Sequence, residues 1–312
     1  MTRSEAAGFL AEKDQFAIVT HRRPDGDTLG CAALLCRGLR QLGKRAYVLE
    51  NPEITEKYRA LLVGLTKPTA EETDTVVCVD VASPNMLGGA FAPLQDKLQL
   101  RIDHHGSATS FTPRELVEPK AAACGEIVWG VLKEMGATLD VPMAEALYTA
   151  VSTDTGCFRY ANTTADTLRV AAECLQTGAD TFALNQMLFE TNSLARLRIQ
   201  GWMVENTRFY QGGQVAVCGL PKQVEWDMGA QEDDLENISG FPRSIAGVKI
   251  AATIRQETAD TVKVSVRAVP GYDAAAVCAK FGGGGHKGAA GASLKMSMDE
   301  AVEAIAAAMP EI

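Results

Sequence analysis

Histidine is scarce in this chain of 312 residues, and its placement points to chemistry. Three of the four histidines lie at the ends of strand-like runs, and the fourth lies in a glycine-rich loop. His21 follows Phe16-Ala-Ile-Val-Thr and leads into Asp25 and Asp27, on a turn built from Pro24 and Gly26. Asp80 closes Thr75-Val-Val-Cys-Val, and Asp103-His104-His105 closes Leu98-Gln-Leu-Arg-Ile. Asp154 adds a carboxylate near the end of a helical pattern. An Asp-Gly-Asp turn alone is ordinary loop chemistry. Joined to clustered histidines, it reads as a set of divalent-cation ligands. Carboxylates with imidazoles suit Mn²⁺, with Mg²⁺ as the alternative, better than a thiolate-seeking ion. Two such cations about 3.5–4 Å apart can share a water, lower its pKa and stabilise an in-line phosphoryl transition state. That chemistry is phosphate ester hydrolysis.

Distant residues must be brought together for this to work. Strand-like runs at Phe16–Thr20, Arg45–Glu50, Thr75–Asp80 and Leu98–Asp103 alternate with helical patterns such as Leu29–Leu42 and Gly125–Met135. The alternation predicts βαβ units and an α/β fold with a mostly parallel sheet flanked by helices. In such a sheet the strand C-termini share one edge, where ligand sites form. Pro142 suits the first turn of the helix leading to Asp154, and Gly178 suits the end of a helix from Asp166.

From Thr181 to about Asn206 the pattern reads as one long helix, broken by Gln211-Gly212-Gly213. We therefore expect a catalytic domain over 1–185, a helical connector over 186–211, and a second, smaller α/β domain over 212–312, facing the first across a cleft. In that domain Gly282 to Gly285 precede His286 and Lys287. A glycine tract is either a flexible linker or a backbone cradle for phosphate. Helical residues before it and small residues after it favour the cradle, with Gly283, Gly284, Gly285 and His286 as candidates. Arg267, closing a predicted strand, and Arg159, in Gly156-Cys-Phe-Arg-Tyr, are either substrate contacts or ordinary surface arginines.

Bulk properties restrict the partners. With 39 acidic and 30 basic residues the net charge is −9, and a protein tracking long nucleic acid would be basic. A small anionic substrate then has to be drawn in by metals or a few placed cations. The eight cysteines form no Cys-x-x-Cys pair, which fits buried thiols in the cytosol. No apolar run approaches a membrane-spanning length, and the first residues lack a secretory pattern.

In this order the motifs resemble the DHH phosphoesterase family with its DHH-associated C-terminal domain. The carriers are His21-Arg-Arg-Pro-Asp25-Gly-Asp27-Thr-Leu-Gly30, Val79-Asp80, Asp103-His104-His105, Thr153-Asp154-Thr-Gly156 and Gly283-Gly-Gly-His286-Lys-Gly-Ala-Ala-Gly291. The stretch from Asp154 to Thr164 is most similar to the NrnA branch, oligoribonucleases that often also dephosphorylate 3′-phosphoadenosine 5′-phosphate (PAP). The resemblance implies one Mn²⁺ held by His21, Asp25 and Asp80. It implies a second held by Asp27, Asp80, His104 and Asp154, with Asp80 bridging. His105 would act on the scissile phosphate or the leaving oxygen, supported by Asp103. Gly283, Gly284, Gly285, His286 and Arg267 would grip the substrate's terminal phosphate or nucleotide. A homodimer is implied as well. The chain departs from the family at Cys31 and Ala268, where serine is common. Cleavage of cyclic di-AMP or its linear product pApA, a single-strand exonuclease and a non-catalytic nucleotide sensor are the alternatives; the last is disfavoured because all six implied ligands are present.

Overall fold

The computed structural model describes residues 1–106 and 109–312. Two compact units divide the chain between Thr191 and Asn192.

The first unit opens with α1 (Arg3–Glu12), β1 (Gln15–Val19), α2 (Gly26–Gln41) and β2 (Arg45–Leu49). It continues through β3 (Thr66–Lys67), β4 (Thr75–Val79), the short α3 (Gly88–Phe91), β5 (Leu98–Asp103) and β6 (Glu115–Val117). It closes with α4 (Cys124–Glu134), α5 (Val141–Asp154), α6 (Ala165–Thr177) and α7 (Thr181–Asn185). The six strands form one sheet in the order β3-β2-β1-β4-β5-β6, every pairing parallel. Phe16 to Val19 and Val77 to Val79 are buried on both faces, which explains their unbroken apolar sequence. β3 and β6 are two and three residues long, too short to leave a periodic signal in the sequence. Strand order reverses between β1 and β4, so the crevice of an open α/β sheet lies between the ends of those two strands.

Small residues set how closely the helices approach. A Cβ placed on Gly30 of α2 would lie 2.5 Å from the Ala146 carbonyl oxygen of α5, and one on Gly125 of α4 would lie 2.7 Å from the Ala150 Cβ. A Cβ on Gly26 would lie 2.4 Å from the Thr153 side chain. The N-terminal ends of α2 and α4 are thereby held against the C-terminal half of α5. Leu34, Leu35 and Leu39 on α2 are fully buried, each contributing about 1.5–3 kcal/mol of apolar burial. Asp140 caps α5 through the Met143 N–H, with Pro142 in its first turn, and Gly178 ends α6 at φ 99°.

The pattern that reads as a single helix over Thr181–Asn206 is interrupted. α7 passes into a π-helical turn at Gln186–Glu190 and stops at Thr191. Ser193 then accepts the Arg196 N–H and starts α8 (Leu194–Asn206), inside the second unit. A serine cap in a polar Thr-Asn-Ser stretch outweighs helical periodicity there.

After α8 the second unit carries β7 (Arg208–Tyr210), β8 (Val215–Leu220), α9 (Lys222–Asp227), β9 (Ile250–Gln256) and β10 (Val262–Ala268). α10 (Ala274–Ala279), β11 (Gly284–Gly285), β12 (Ala289–Leu294) and α11 (Met298–Ala308) complete it. Its sheet runs β11-β12-β10-β9-β8-β7 and is mixed, since only β8 and β9 pair parallel among the described strands. The glycine tract is not a linker. Gly284 and Gly285 pair with Gly291 and Ala290 as a hairpin, closed by reciprocal backbone bonds between His286 and Ala289.

Candidate metal centre

The expected metal ligands of the first unit converge. His21, Asp25 and Asp80 form one group, Asp27, His104 and Asp154 a second, and Asp80, His104 and His105 a third, the ligand atoms of each lying within 4.8 Å of one another. His21 Nε2 is 3.6 Å from both Asp25 and Asp80. His104 Nε2 is 3.2 Å from Asp154, 3.6 Å from Asp80 and 3.8 Å from Asp27. Asp80, just past β4, and His104, just past β5, each belong to two groups. This is the crevice marked by the reversal of strand order.

Each group is held from behind. Asp25 caps α2, accepting the Asp27 and Thr28 N–H groups. Thr28 Oγ1 in turn donates to the Val79 carbonyl, next to Asp80, at 2.9 Å. Asp27 accepts the Cys124 and Gly125 N–H groups at 2.7 and 3.0 Å. It thereby caps α4, whose own Ala123 has no side chain able to do so, and the partial positive end of that helix favours the carboxylate. The Cys31 thiol donates to the same carboxylate at 3.1 Å. His104 Nδ1 lies 3.2 Å from the Ala121 carbonyl, which leaves Nε2 for the cluster. Asn162 Nδ2 donates to the Asp154 and Ala122 carbonyls. Asn51 Nδ2 fixes the strand end at His21 by donating to the His21 carbonyl and Thr20 Oγ1. Asp80 itself has φ 58°, a strained left-handed backbone for a non-glycine residue.

Asp103 belongs to none of these three groups and serves His105. Its Oδ1 accepts the His104 and His105 N–H groups and lies 2.8 Å from His105 Nδ1. Buried Arg101 donates to the Ala82 and Thr109 carbonyls and pairs with Glu115 at 3.2 Å, behind Asp103. His105 lies 3.5 Å from Asp80 through the nitrogen already engaged by Asp103, which leaves Nε2 without a partner among the described residues.

The electrostatics call for cations. Burial and the Asp80 and Asp154 carboxylates push the Asp27 carboxyl well above its ordinary range. Burial and nearby carboxylates also raise Asp154, against the pull of His104. Burial alone would lower His21 and His104, yet the carboxylates facing them raise both. Among the described residues the buried Asp80 Oδ1 lacks a hydrogen-bond partner. Crowded acids with an unpartnered buried oxygen and neighbouring imidazoles form a donor set that fits divalent cations.

The remaining expected site residues lie elsewhere. Arg159 follows Asp154 in the first unit, its Nε donating to the Gly156 carbonyl. Gly283, Gly284, Gly285, His286 and Arg267 lie together in the second unit, with Arg267 on β10 opposite Ala289 of β12. A Cβ on Gly283 or Gly285 would lie 2.3 or 2.6 Å from backbone oxygens of the same hairpin, so both glycines are needed for strand packing. Sequence reasoning passes over Asn51, Arg101 and the α4 N-terminus. Asn51, just past a strand in Glu50-Asn51-Pro52, carried the only turn signal that could have marked it.

Two family models match the chain: the DHH family N-terminal domain over residues 15–151 and the DHHA1 domain over residues 212–311. A protein of Thermus thermophilus described as a bifunctional oligoribonuclease and PAP phosphatase NrnA is 33% identical, covering 94% of this chain and 89% of its own. The protein of that description from Bacillus subtilis is 28% identical over 96% and 95%. A solved structure, an exopolyphosphatase-related protein from Bacteroides fragilis, superposes with a TM-score of 0.84 at 25% identity, over 98% of this chain and 95% of its own.

Proposed function

From the premise that this chain belongs to the DHH family of phosphoesterases, most like its NrnA branch, we propose that it is a two-metal hydrolase that cuts short oligoribonucleotides to mononucleotides and removes phosphate from PAP. The observation carrying this reading is Asp80, whose carboxylate is shared by two groups of possible ligands on the sheet edge where ligands bind. His21, Asp25 and Asp80 would hold one cation; Asp27, Asp80, His104 and Asp154 would hold the other. Divalent metal dependence follows from the donor set and the family, and Mn²⁺ is the ion we assign. The metals would supply Lewis acidity toward the phosphoryl oxygens and an activated water.

The chain's own groups orient the substrate. Asp103 fixes His105 so that Nε2 faces the phosphoryl group and donates a proton to the leaving oxygen. Arg159 in the first unit offers its terminal nitrogens to a neighbouring phosphate. Gly283, Gly284, Gly285, His286 and Arg267, in the 212–312 domain we assign to substrate binding, take the terminal phosphate or nucleotide with the His286 ring and the Arg267 guanidinium as donors, because the Gly283 and His286 N–H groups already bond to the Cys278 and Ala289 carbonyls. Eight free cysteines, seven of them buried, support residence in the reducing cytoplasm. No helix among the described residues is long and apolar enough to cross a membrane. Exposed Leu168, Leu175 and Phe182 on α6 and α7 supply an apolar face for a homodimer, which light scattering would test.

The decisive experiment strips the protein with a chelator, restores Mn²⁺, and assays labelled oligoribonucleotides from two to about twenty residues, a span set around single-strand site sizes, together with PAP. We expect metal-dependent turnover concentrated on the shortest substrates. Full activity without metal, or preference for the longest chains, would overturn the reading.

A further inference from the structure

Beyond Asp154 the backbone takes an unusual path. Gly156, Cys157 and Phe158 have φ of 56°, 57° and 62°, three left-handed residues in a row of which only the first is glycine. Such a turn is sterically disfavoured for Cys and Phe and must be held in place. Cys157 N–H donates to the Ser152 carbonyl at 2.7 Å, Phe158 N–H to Thr155 Oγ1 at 3.1 Å, and the Arg159 and Tyr160 N–H groups both donate to the Thr155 carbonyl at 3.0 Å. The Phe158 ring packs against Tyr148, with ring centroids 5.8 Å apart. Asn162 then ties the chain back to the Asp154 and Ala122 carbonyls, beside the loop that positions His104.

This rigid turn displays Tyr160. Its ring lies flat on Gly156, where a Cβ would come within 2.3 Å of the ring, and it is 53% exposed. Among the described residues the phenol oxygen has no hydrogen-bond partner, so no internal bond explains the ring's position. Gly156 is two residues from Asp154, at most about 7.6 Å between Cα atoms, so the ring's seat belongs to the turn that directly follows a candidate cation ligand.

We infer that Tyr160 is a nucleobase platform, its exposed face stacking the base next to the scissile phosphate of a short oligonucleotide; this rests on the hydrolase reading above. A ring already held on its turn loses little freedom on binding. Stacking accepts any base because every base has a π-face, which suits an enzyme that must degrade short RNA of any sequence. Arg159, anchored through Nε to the Gly156 carbonyl at 2.5 Å, is held on the same turn and can pair with a phosphate of that nucleotide. Gly156 has a role of its own here, since a side chain there would lift the ring from its seat.

The test compares wild type, Tyr160→Ala and Tyr160→Phe, all with Mn²⁺, on 5′-phosphorylated diadenylate and on its two analogues lacking one base each. Tyr160→Ala should raise KM for the diadenylate about tenfold, within the range of one stacked base, with kcat changed less than about twofold. Tyr160→Phe should match wild type. On one of the two abasic analogues, wild type and Tyr160→Ala should have equal KM, because the base that stacks is gone. An unchanged KM in Tyr160→Ala, or an equal loss on all three substrates, would overturn the platform. Failure of the wild type to cleave any of the three would instead overturn the hydrolase reading.

Discussion

Gly30→Ala tests whether helix packing, rather than ligand identity alone, builds the metal centre. α2 carries Asp27 in its first turn, and α5 ends at Asp154. A Cβ on Gly30 would sit 2.5 Å from the Ala146 carbonyl oxygen and 2.9 Å from the Ala150 nitrogen and Cβ. Two of these atoms are helix backbone and cannot rotate aside. Ordinary contact begins at 3.4 Å, so the helices must part by up to 3.4 − 2.5 = 0.9 Å. Helix propensity opposes this, since alanine gains about 1 kcal/mol over glycine. Overpacking against backbone costs about 1–3 kcal/mol, and the short contact places this site at the upper end. The net loss is about 1–2 kcal/mol, or about 2–8 °C in Tm for a unit of this size. The larger effect should fall on the metals. Ligand distances tolerate about 0.2 Å, well under the displacement, so the Mn²⁺ midpoint for activity should rise about tenfold or more. The assay pairs thermal melts with Mn²⁺ titration of turnover. A variant as stable as wild type, with an unchanged metal midpoint, would refute the reasoning.

Other outcomes follow from the same site. Asp80→Ala removes the carboxylate shared by two candidate ligand groups and should lower kcat on a dinucleotide by at least about 10³-fold, which single-turnover assays can read. Excess Mn²⁺ at about 100 times its Kd should stabilise the chelated protein by about 2.7 kcal/mol, raising Tm by about 5–11 °C; an unchanged Tm would argue against a metal site. Asp103→Asn weakens the hold on His105 Nδ1 and should cost about 10–100-fold in turnover, on the scale of losses when groups behind a metal site are changed, with the pH profile altered and the Mn²⁺ midpoint kept. Burial raises the Glu126 carboxyl, against the Thr167 hydroxyl that donates to it. A raised acid means the folded state binds more protons, so stability falls as pH climbs from the ordinary glutamate value to the raised one. Glu126→Gln should therefore gain in urea midpoint over wild type at pH 7 and match it below about pH 4.

The sequence by itself determined the candidate ligands and their strands. Short β-rich runs bounded by turn residues and alternating with helical patterns read as strands of a parallel sheet, and a polar residue at the end of one emerges at the sheet edge; His21, Asp80 and Asp103-His104-His105 were legible for that reason. Asp154 was legible as a candidate ligand only through its motif, because nothing local says where a helix end points. Tertiary structure decided the rest. β3 and β6 are too short for periodicity, and the helix expected across Thr181–Asn206 breaks because Ser193 offers a cap that its spacing does not reveal. The strand order that sets β1 beside β4 depends on crossovers, which no local pattern encodes. The capping of α4 by Asp27, the seat of Tyr160 on Gly156, and the approach of α2 to α5 at Gly30 all join residues far apart in the chain or turned by an unusual backbone. Local spacing fixes which atoms can bind a cation. Packing between elements fixes whether they meet, and here that meeting depends on glycines whose missing side chains leave the room for it.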